Sequence, residues 1–431
     1  MFKSSATKDE PAFIRVTTCD TMGISRSKVV HRDTYPQIKK SGLSIPNVTC
    51  ILSSESIPAD YPKISDAGYP DVFIIPEADT WHLCPWSGSK SGRKIAQVFG
   101  EMHQKDKNST PCGFDPRVVC KKLLGSLEKE FGLSLYSALE YEFAMAKDGK
   151  PVTSKMHIYS PVGLKATEDF CFEVSDRLEK AGVLLETIMH EHGQGQLELT
   201  MKPYWGIKAA DHALMYKQCV KETAIDLGFR ATFMCNPWLA VQSGGHYNFS
   251  LWNKSGTNVF TDDSDSDGLS DLAKNWIAGV LEHAPAITAL VCHTNNCYNR
   301  FYEGGFAPYH ICYAEENRSS LVRVKRSESS GTYLEYRGGG AAANPYLVLS
   351  AILAAGIDGL RKKLTPPPPG FNEEKEIPRN LDTSLNALEQ DQVMCEMIGE
   401  DLITPFLLLK RQHDLNKTTL EAQIESYADL I

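Results

Sequence analysis

The stretch that most limits what this chain can become is Ser137-Ala138-Leu139-Glu140-Tyr141-Glu142-Phe143-Ala144-Met145. In a strand, side chains alternate faces, so Glu140 and Glu142 project to one side while Leu139, Tyr141 and Phe143 project to the other. Two carboxylates on one patch resist joint ionisation unless a cation lies beside them, they share a proton, or water solvates them fully. On this stretch alone a cation site and a solvated strand edge both stand open.

At 431 residues and 47.8 kDa the chain exceeds the size at which a single core stops growing, so two domains are expected. Its 42% hydrophobic and 23% charged residues are those of an ordinary globular protein. A net charge of -9 with no long basic run argues against nucleic acid as a partner. Small anionic substrates would then need locally clustered arginines. The segment from Met1 to Pro11 is polar, and no apolar run is long enough to span a bilayer. The expectation is a cytoplasmic protein with no membrane partner. Twelve cysteines are scattered without a CxxC pair, and Cys292 and Cys297 flank His293 without a second half-site, so reduced thiols are expected rather than zinc.

Residues 12–109 read as a small β-rich domain, with strands at 13–17, 27–30 after a turn at Gly23, and 71–76. Asp115 and Pro116 then open a helix that Gly132 stops, placing a boundary near 110. From 110 to 431 the pattern is α+β. Helices are predicted over 167–182, 209–228, 270–290, 344–364, 385–414 and 419–431, and strands over 183–191, 196–201, 240–252, 320–326 and 332–337.

Within this larger region acidic residues and a histidine recur on strands. Glu191 and Glu198 flank Gly193-Gln194-Gly195, a hairpin that can bring them opposite one another. His246, Asn248 and Ser250 alternate with apolar residues, as do Tyr333, Glu335 and Arg337. A sheet aiming Glu140, Glu142, Glu191, Glu198, His246 and Glu335 at one face offers oxygen-rich ligands suited to Mg²⁺ or Mn²⁺ rather than zinc or copper. For each alone, an exposed carboxylate or a satisfied core histidine is the plainer reading. Arg300, Arg318, Arg323 and Arg337 supply the opposite sign, and guanidinium beside a metal suits phosphoryl transfer, with surface ion pairing as the alternative. Two look-alikes are set aside. Asp263-Ser264-Asp265-Ser266-Asp267-Gly268 begins like a calcium loop, but its twelfth position is Lys274. The run from Gly88 to Lys94 is not a Walker A pattern, so ATP would be held in some other way.

Leu139-Glu140-Tyr141-Glu142-Phe143, Glu191, Gly195-Gln196-Leu197-Glu198, Ser243-Gly244-Gly245-His246, Asn317-Arg318-Ser319, and Glu335-Tyr336-Arg337 with Ala343-Asn344-Pro345-Tyr346 resemble, in order and spacing, the class I glutamine synthetases. The resemblance implies a small β-grasp N-terminal domain over 12–109. It also implies a large α+β catalytic domain over 110–431 with an antiparallel active-site sheet, and a homo-oligomer, a dodecamer of two hexameric rings with sites between subunits. It assigns Glu142, Glu191 and Glu198 to one divalent metal and Glu140, His246 and Glu335 to a second. Arg318 and Arg323 fall on phosphate, Arg318 in a catalytic role, with Arg300 and Arg337 near substrate carboxylates and Ser250 near the nucleotide. Asp20 resembles an aspartate donated from the adjacent subunit to help deprotonate the amine. The implied reaction is ATP-dependent: a γ-carboxylate takes the γ-phosphoryl group, and an amine displaces phosphate from the acyl phosphate.

Several positions depart from the pattern. Phe306 stands where the family has an acidic flap residue, and an aromatic ring cannot take a proton from ammonium. Val241-Gln242 replaces an Asn-Gly pair, Asn248 a histidine, Ser330 a lysine, and the Asp-Gly-Ser-Ser loop is absent. The blocks 68–72 and 83–86 are similar to the branch containing γ-glutamylpolyamine synthetases and lengsin. Two functions follow. One is a ligase joining a small-molecule acid to an amine larger than ammonia; the other is a lengsin-like, catalytically silent assembly.

Overall fold

The computed structural model describes residues 10–88, 91–155, 157–238, 241–327, 331–370 and 375–431. Two sheets organise it. The first contains β1 (Phe13–Cys19), β2 (Ser25–His31), β3 (Leu43–Pro46), β4 (Asp71–Pro76), β5 (His82–Leu83) and β6 (Ile95–His103). Its order is β2-β1-β6-β4-β3, with β5 beside β6. The parallel pair β1–β6 lies among antiparallel neighbours, the arrangement of a β-grasp sheet. Gly23, at φ 81, closes the β1–β2 turn against the backbone of Asn344, which a Cβ at Gly23 would approach to 3.1 Å.

The second sheet has ten strands and is centred on β7 (Leu133–Lys147). Around it are β8 (Lys150–Pro151), β9 (Leu185–His190), β10 (Gln196–Met201), β11 (Tyr204–Trp205), β12 (Arg230–Thr232), β13 (Gly245–Asn253), β14 (Tyr313–Glu315), β15 (Val322–Ser327) and β16 (Gly331–Tyr336). The main path is β14-β15-β16-β13-β7-β10-β9. The strands that carry the site are antiparallel, as expected, and only β14–β15 at one edge pairs in parallel. One face of β7 buries Leu139, Tyr141 and Phe143 against the helices 116–131 and 208–226, while the other face is left to polar side chains.

The opening helix Pro116–Phe131 behaves as its sequence dictates. Asp115 accepts from the Arg117 amide, and Gly132 leaves the helix in the left-handed region. Two long helices expected from periodicity are broken. The span 270–290 is two helices, Asp271–Glu282 and Ala284–Val291, because Pro285 has no amide to continue the ladder. The span 385–414 becomes Leu381–Gln390, Gln392–Ile398 and Glu400–Leu409, interrupted where Asp391 turns to cap Met394 and where Gly399 adopts φ 105. In the calcium-like loop, the Lys274 ammonium pairs with Asp265 at 2.9 Å and Asp267 at 3.2 Å, and Ser270 caps the following helix. Ser89 and Lys90 of the Walker-like run lie outside the described residues. Among the described residues no helix is long and apolar enough to cross a membrane.

His283, at the first of these breaks, lies between Asp391 (2.6 Å) and Asp358 (3.1 Å), and Lys362 also reaches Asp358. Burial alone would lower its pKa, but the hydrogen bonds to Asp391 and Asp358 outweigh it and hold the proton above the ordinary value of 6.5. Because the folded value is raised, this contribution is complete below about pH 6.5 and is lost as pH rises through the folded value. Stability measured in urea should therefore fall across that window, and His283→Gln should flatten the profile there. An unchanged slope in the variant would contradict this.

Candidate active site

Strand register places the polar residues in rows across one face. On β7, Glu142 lies opposite Glu198 of β10 and Glu140 lies opposite His246 of β13; Glu335 of β16 lies opposite both Asn248 and Arg323. The hairpin does not set Glu191 opposite Glu198, as its spacing had suggested. Glu198 faces Met189, and Glu191 bonds to the Gln196 carbonyl. Both still line one cavity of about 860 Å³, with Glu140, Glu142, His246, Glu335, Ser250 and the arginines at 300, 318, 323 and 337.

The motif Ser243-Gly244-Gly245-His246 has a local cause. The Gly244 amide donates to Glu142 at 2.9 Å, and a Cβ there would crowd Arg300, His246 and Glu142 at 3.0–3.3 Å. At Gly245 a Cβ would meet the Gly340 carbonyl at 2.6 Å. Only glycine lets these strands close beneath the carboxylates.

Ligand atoms of Glu140, Glu198 and His246 lie within 4.8 Å of one another. At that separation two carboxylates repel by about 3.5 kcal/mol for an effective dielectric of about 20. His246 Nδ1 is 3.7 Å from Glu140 and 3.6 Å from Glu335. Glu198 thus approaches the second predicted ligand set as well as Glu142. Burial, then Glu191, pushes the Glu142 carboxyl up to about 8. Burial and the carboxylates around it also raise Glu198 well above its ordinary value, and burial raises Glu140 and Glu191. Burial and then Arg337 hold His246 well below its usual value, so its imidazole is neutral and free to ligate. Burial would raise Glu335 too, but the cationic groups facing it, Arg337 and Lys325, oppose this and its value lies below the ordinary one. Five crowded carboxylates and a neutral imidazole suit hard divalent cations, so the donor set fits Mg²⁺ or Mn²⁺.

The arginines are partly engaged. Arg323 bonds Glu335 at 3.1 Å and also pairs with Glu316; Arg337 pairs with Glu335 and donates from Nε to the Arg318 carbonyl at 2.9 Å. Arg300 donates to the Gly339 carbonyl at 2.6 Å, and Arg318 is exposed at the rim. Asp20, expected to serve the adjacent subunit's site, does not line this subunit's own cavity. It is 1% exposed, with Oδ1 accepting from the Met22 and Ile24 amides and Oδ2 bound by Arg26 at 2.7 Å, so its carboxylate organises the β1–β2 turn.

Several neighbours escaped sequence reasoning. Gln196 donates to Glu142, Lys325 faces Glu140, and Tyr136 forms an aromatic cluster with Trp205 at 4.5 Å and Trp252 at 6.3 Å. Trp252 Nε1 donates to Ser250 Oγ at 2.9 Å, fixing that hydroxyl at the same end. Tyr136 could have been found, since alternation from Glu140 puts it on the same face. Of the departures, Val241 is fully buried, Gln242 pairs with the Tyr302 hydroxyl, and Phe306 is 67% exposed at the cavity edge. Ser330 lies outside the described residues.

A mixed sheet carrying a buried acidic cluster rimmed by guanidinium groups defines a class of catalytic site that handles anionic substrates with divalent cations. The family described as "Glutamine synthetase, catalytic domain" matches residues 113–427. Glutamine synthetase from Thermococcus kodakarensis is 32% identical over 411 residues, covering 90% of this chain and 86% of that protein. Glutamate--isopropylamine ligase from a Pseudomonas species is 31% identical over 397 residues, covering 86% of this chain and 84% of that protein. A solved structure described as GmaS in complex with ADP superposes with a TM-score of 0.83 at 26% identity, covering 96% of each chain. The chain belongs to the glutamine synthetase family.

Proposed function

We propose that this protein is an ATP-dependent ligase that joins the γ-carboxylate of a glutamate-like acid to an amine larger than ammonia. The observation that carries this reading is the convergence of six candidate ligands and four arginines on one cavity. In this reading residues 12–109 are an N-terminal domain and 110–431 the catalytic domain, assembled as a dodecamer. The branch is the one containing γ-glutamylpolyamine synthetases and lengsin.

Glu142, Glu191 and Glu198 would hold one divalent ion, and Glu140, His246 and Glu335 the other. Such ions, once bound, neutralise oxygens of the transferred phosphoryl group. Arg318 and Arg323 hold phosphate oxygens, and Arg300 and Arg337 orient the carboxylates of the acid. Ser250, set by Trp252, contacts the nucleotide. The γ-carboxylate oxygen attacks the terminal phosphorus of ATP, the bridging P–O bond breaks and ADP is released. The amine nitrogen then attacks the acyl carbon, phosphate departs and the amide forms.

Incubation with ATP, Mg²⁺, glutamate and a panel of amines should release phosphate in an amine-dependent way. A flat result across the panel would contradict the ligase reading and favour a silent assembly.

A further inference from the structure

One edge of the cavity, where Phe306 stands, carries mostly apolar and aromatic groups. Phe306, 67% exposed, meets the His192 ring edge-on at 5.2 Å. His192 follows directly on Glu191. Two residues earlier, the His190 carbonyl accepts from the amide of Tyr159, whose backbone is held at φ 56. Tyr159 and Ile158 line the same cavity and are 63% and 46% exposed. Gln242 lines it as well. Its amide nitrogen is committed to Tyr302, while its Oε1 is buried with no hydrogen-bond partner among the described residues. A buried acceptor without a donor is costly, and an N–H group arriving in the cavity would satisfy it.

We infer that the nucleophile taken by this site is a primary amine with an apolar substituent, its N–H held by Gln242 Oε1 and its substituent seated against Phe306, His192, Ile158 and Tyr159. This rests on the ligase reading above. An ammonium ion or a second ammonium on a diamine needs an anionic partner. None of Ile158, Tyr159, His192, Gln242 and Phe306 carries a carboxylate, and Glu303 does not line the cavity; of the carboxylates that do, Glu140, Glu142, Glu191, Glu198 and Glu335 are assigned to cations above and Glu186 lies beside Tyr136. An alkyl or aryl group gains instead by leaving water, and it stacks on the exposed ring. The amine reacts as its free base. The nitrogen lone pair forms the C–N bond, the C–O bond to phosphate breaks with its electrons leaving on phosphate, and the extra proton on nitrogen passes to water at the open edge.

The test compares kcat/KM for phosphate release with ATP, Mg²⁺ and glutamate across ammonia, methylamine, butylamine, benzylamine and putrescine. Burial of each added methylene is expected to raise kcat/KM by about 3–4-fold, so butylamine should exceed methylamine by tenfold or more, and putrescine should fall well below butylamine. Phe306→Ala should lower the butylamine-to-methylamine ratio at least fivefold, mainly through KM. Phe306→Glu should shift preference toward ammonia by at least tenfold. Both variants should keep the melting-temperature gain that Mg²⁺ and ADP give the unaltered protein, which shows that they fold. Turnover that is best with ammonia or putrescine, or a ratio unmoved in Phe306→Ala, would overturn the inference and leave the ligase reading standing. Absence of turnover with every amine, in protein that binds Mg²⁺ and ADP, would overturn both.

Discussion

Glu198→Gln should abolish turnover while leaving the protein at least as stable as before. Glu198 lies opposite Glu142 in the sheet register, and its ligand atoms come within 4.8 Å of those of Glu140 and His246. In the protein without cations that crowding is unfavourable, because like charges facing each other across a sheet oppose pairing and burial penalises each charge. Burial and its neighbours oblige Glu198 to take up a proton on folding, whereas an amide of the same shape needs none, so unliganded stability near neutral pH should hold or rise by about 1 kcal/mol. With cations the sign reverses. The amide supplies a weaker ligand, so the melting-temperature gain from Mg²⁺ should need at least tenfold more metal, and kcat/KM should fall about 10³-fold, or about 4 kcal/mol. A variant that loses unliganded stability and keeps its Mg²⁺ response would show that Glu198 serves the fold and not the ion.

The second large effect lies outside the cavity. Arg117 is 2% exposed and binds Asp211 bidentately at 2.9 and 3.0 Å, while its Nη1 reaches Glu77 at 2.7 Å and Glu101 at 3.0 Å. The Tyr346 hydroxyl completes the cluster by donating to Asp211 at 2.7 Å. Glu77 follows β4 and Glu101 lies on β6, whereas Asp211 and Tyr346 belong to the helices Lys208–Asp226 and Pro345–Lys362. One guanidinium therefore ties the first sheet to the helices behind the second. Arg117→Ala would leave three carboxylates facing one another, with Lys121 and His103 near Glu77 and Glu101 but no cation on Asp211 among the described contacts, at a cost of about 3–5 kcal/mol. Chemical denaturation should show that loss. A change below about 1 kcal/mol would mean that the cluster is solvated and contributes little.

The site was more legible in the sequence than the fold that holds it. Alternation around Leu139, Tyr141 and Phe143 placed Glu140 and Glu142 on one face before any coordinates, and His246 and Glu335 followed from the same period of two. Register was not legible, because it depends on which strands pair, so the facing of Glu198 to Glu142 emerged only from the structure. Strand β6 was overlooked since eight of its nine residues are buried, so it shows no alternation to read. The broken helices carry continuous helical periodicity, and they are interrupted by the missing amide of Pro285, the extended backbone of Asp391 and the φ of Gly399. Within this subunit the Asp20 oxygens are engaged by Arg26 and two amides, contacts that no spacing rule reveals.

Anomalous diffraction from crystals grown with Mn²⁺ and ADP tests the central claim most directly. Two manganese peaks are predicted inside the cavity, one beside Glu142, Glu191 and Glu198 and the other beside Glu140, His246 and Glu335. Nucleotide-bound crystals with no peak among these side chains, or with manganese held only at other sites, would contradict it.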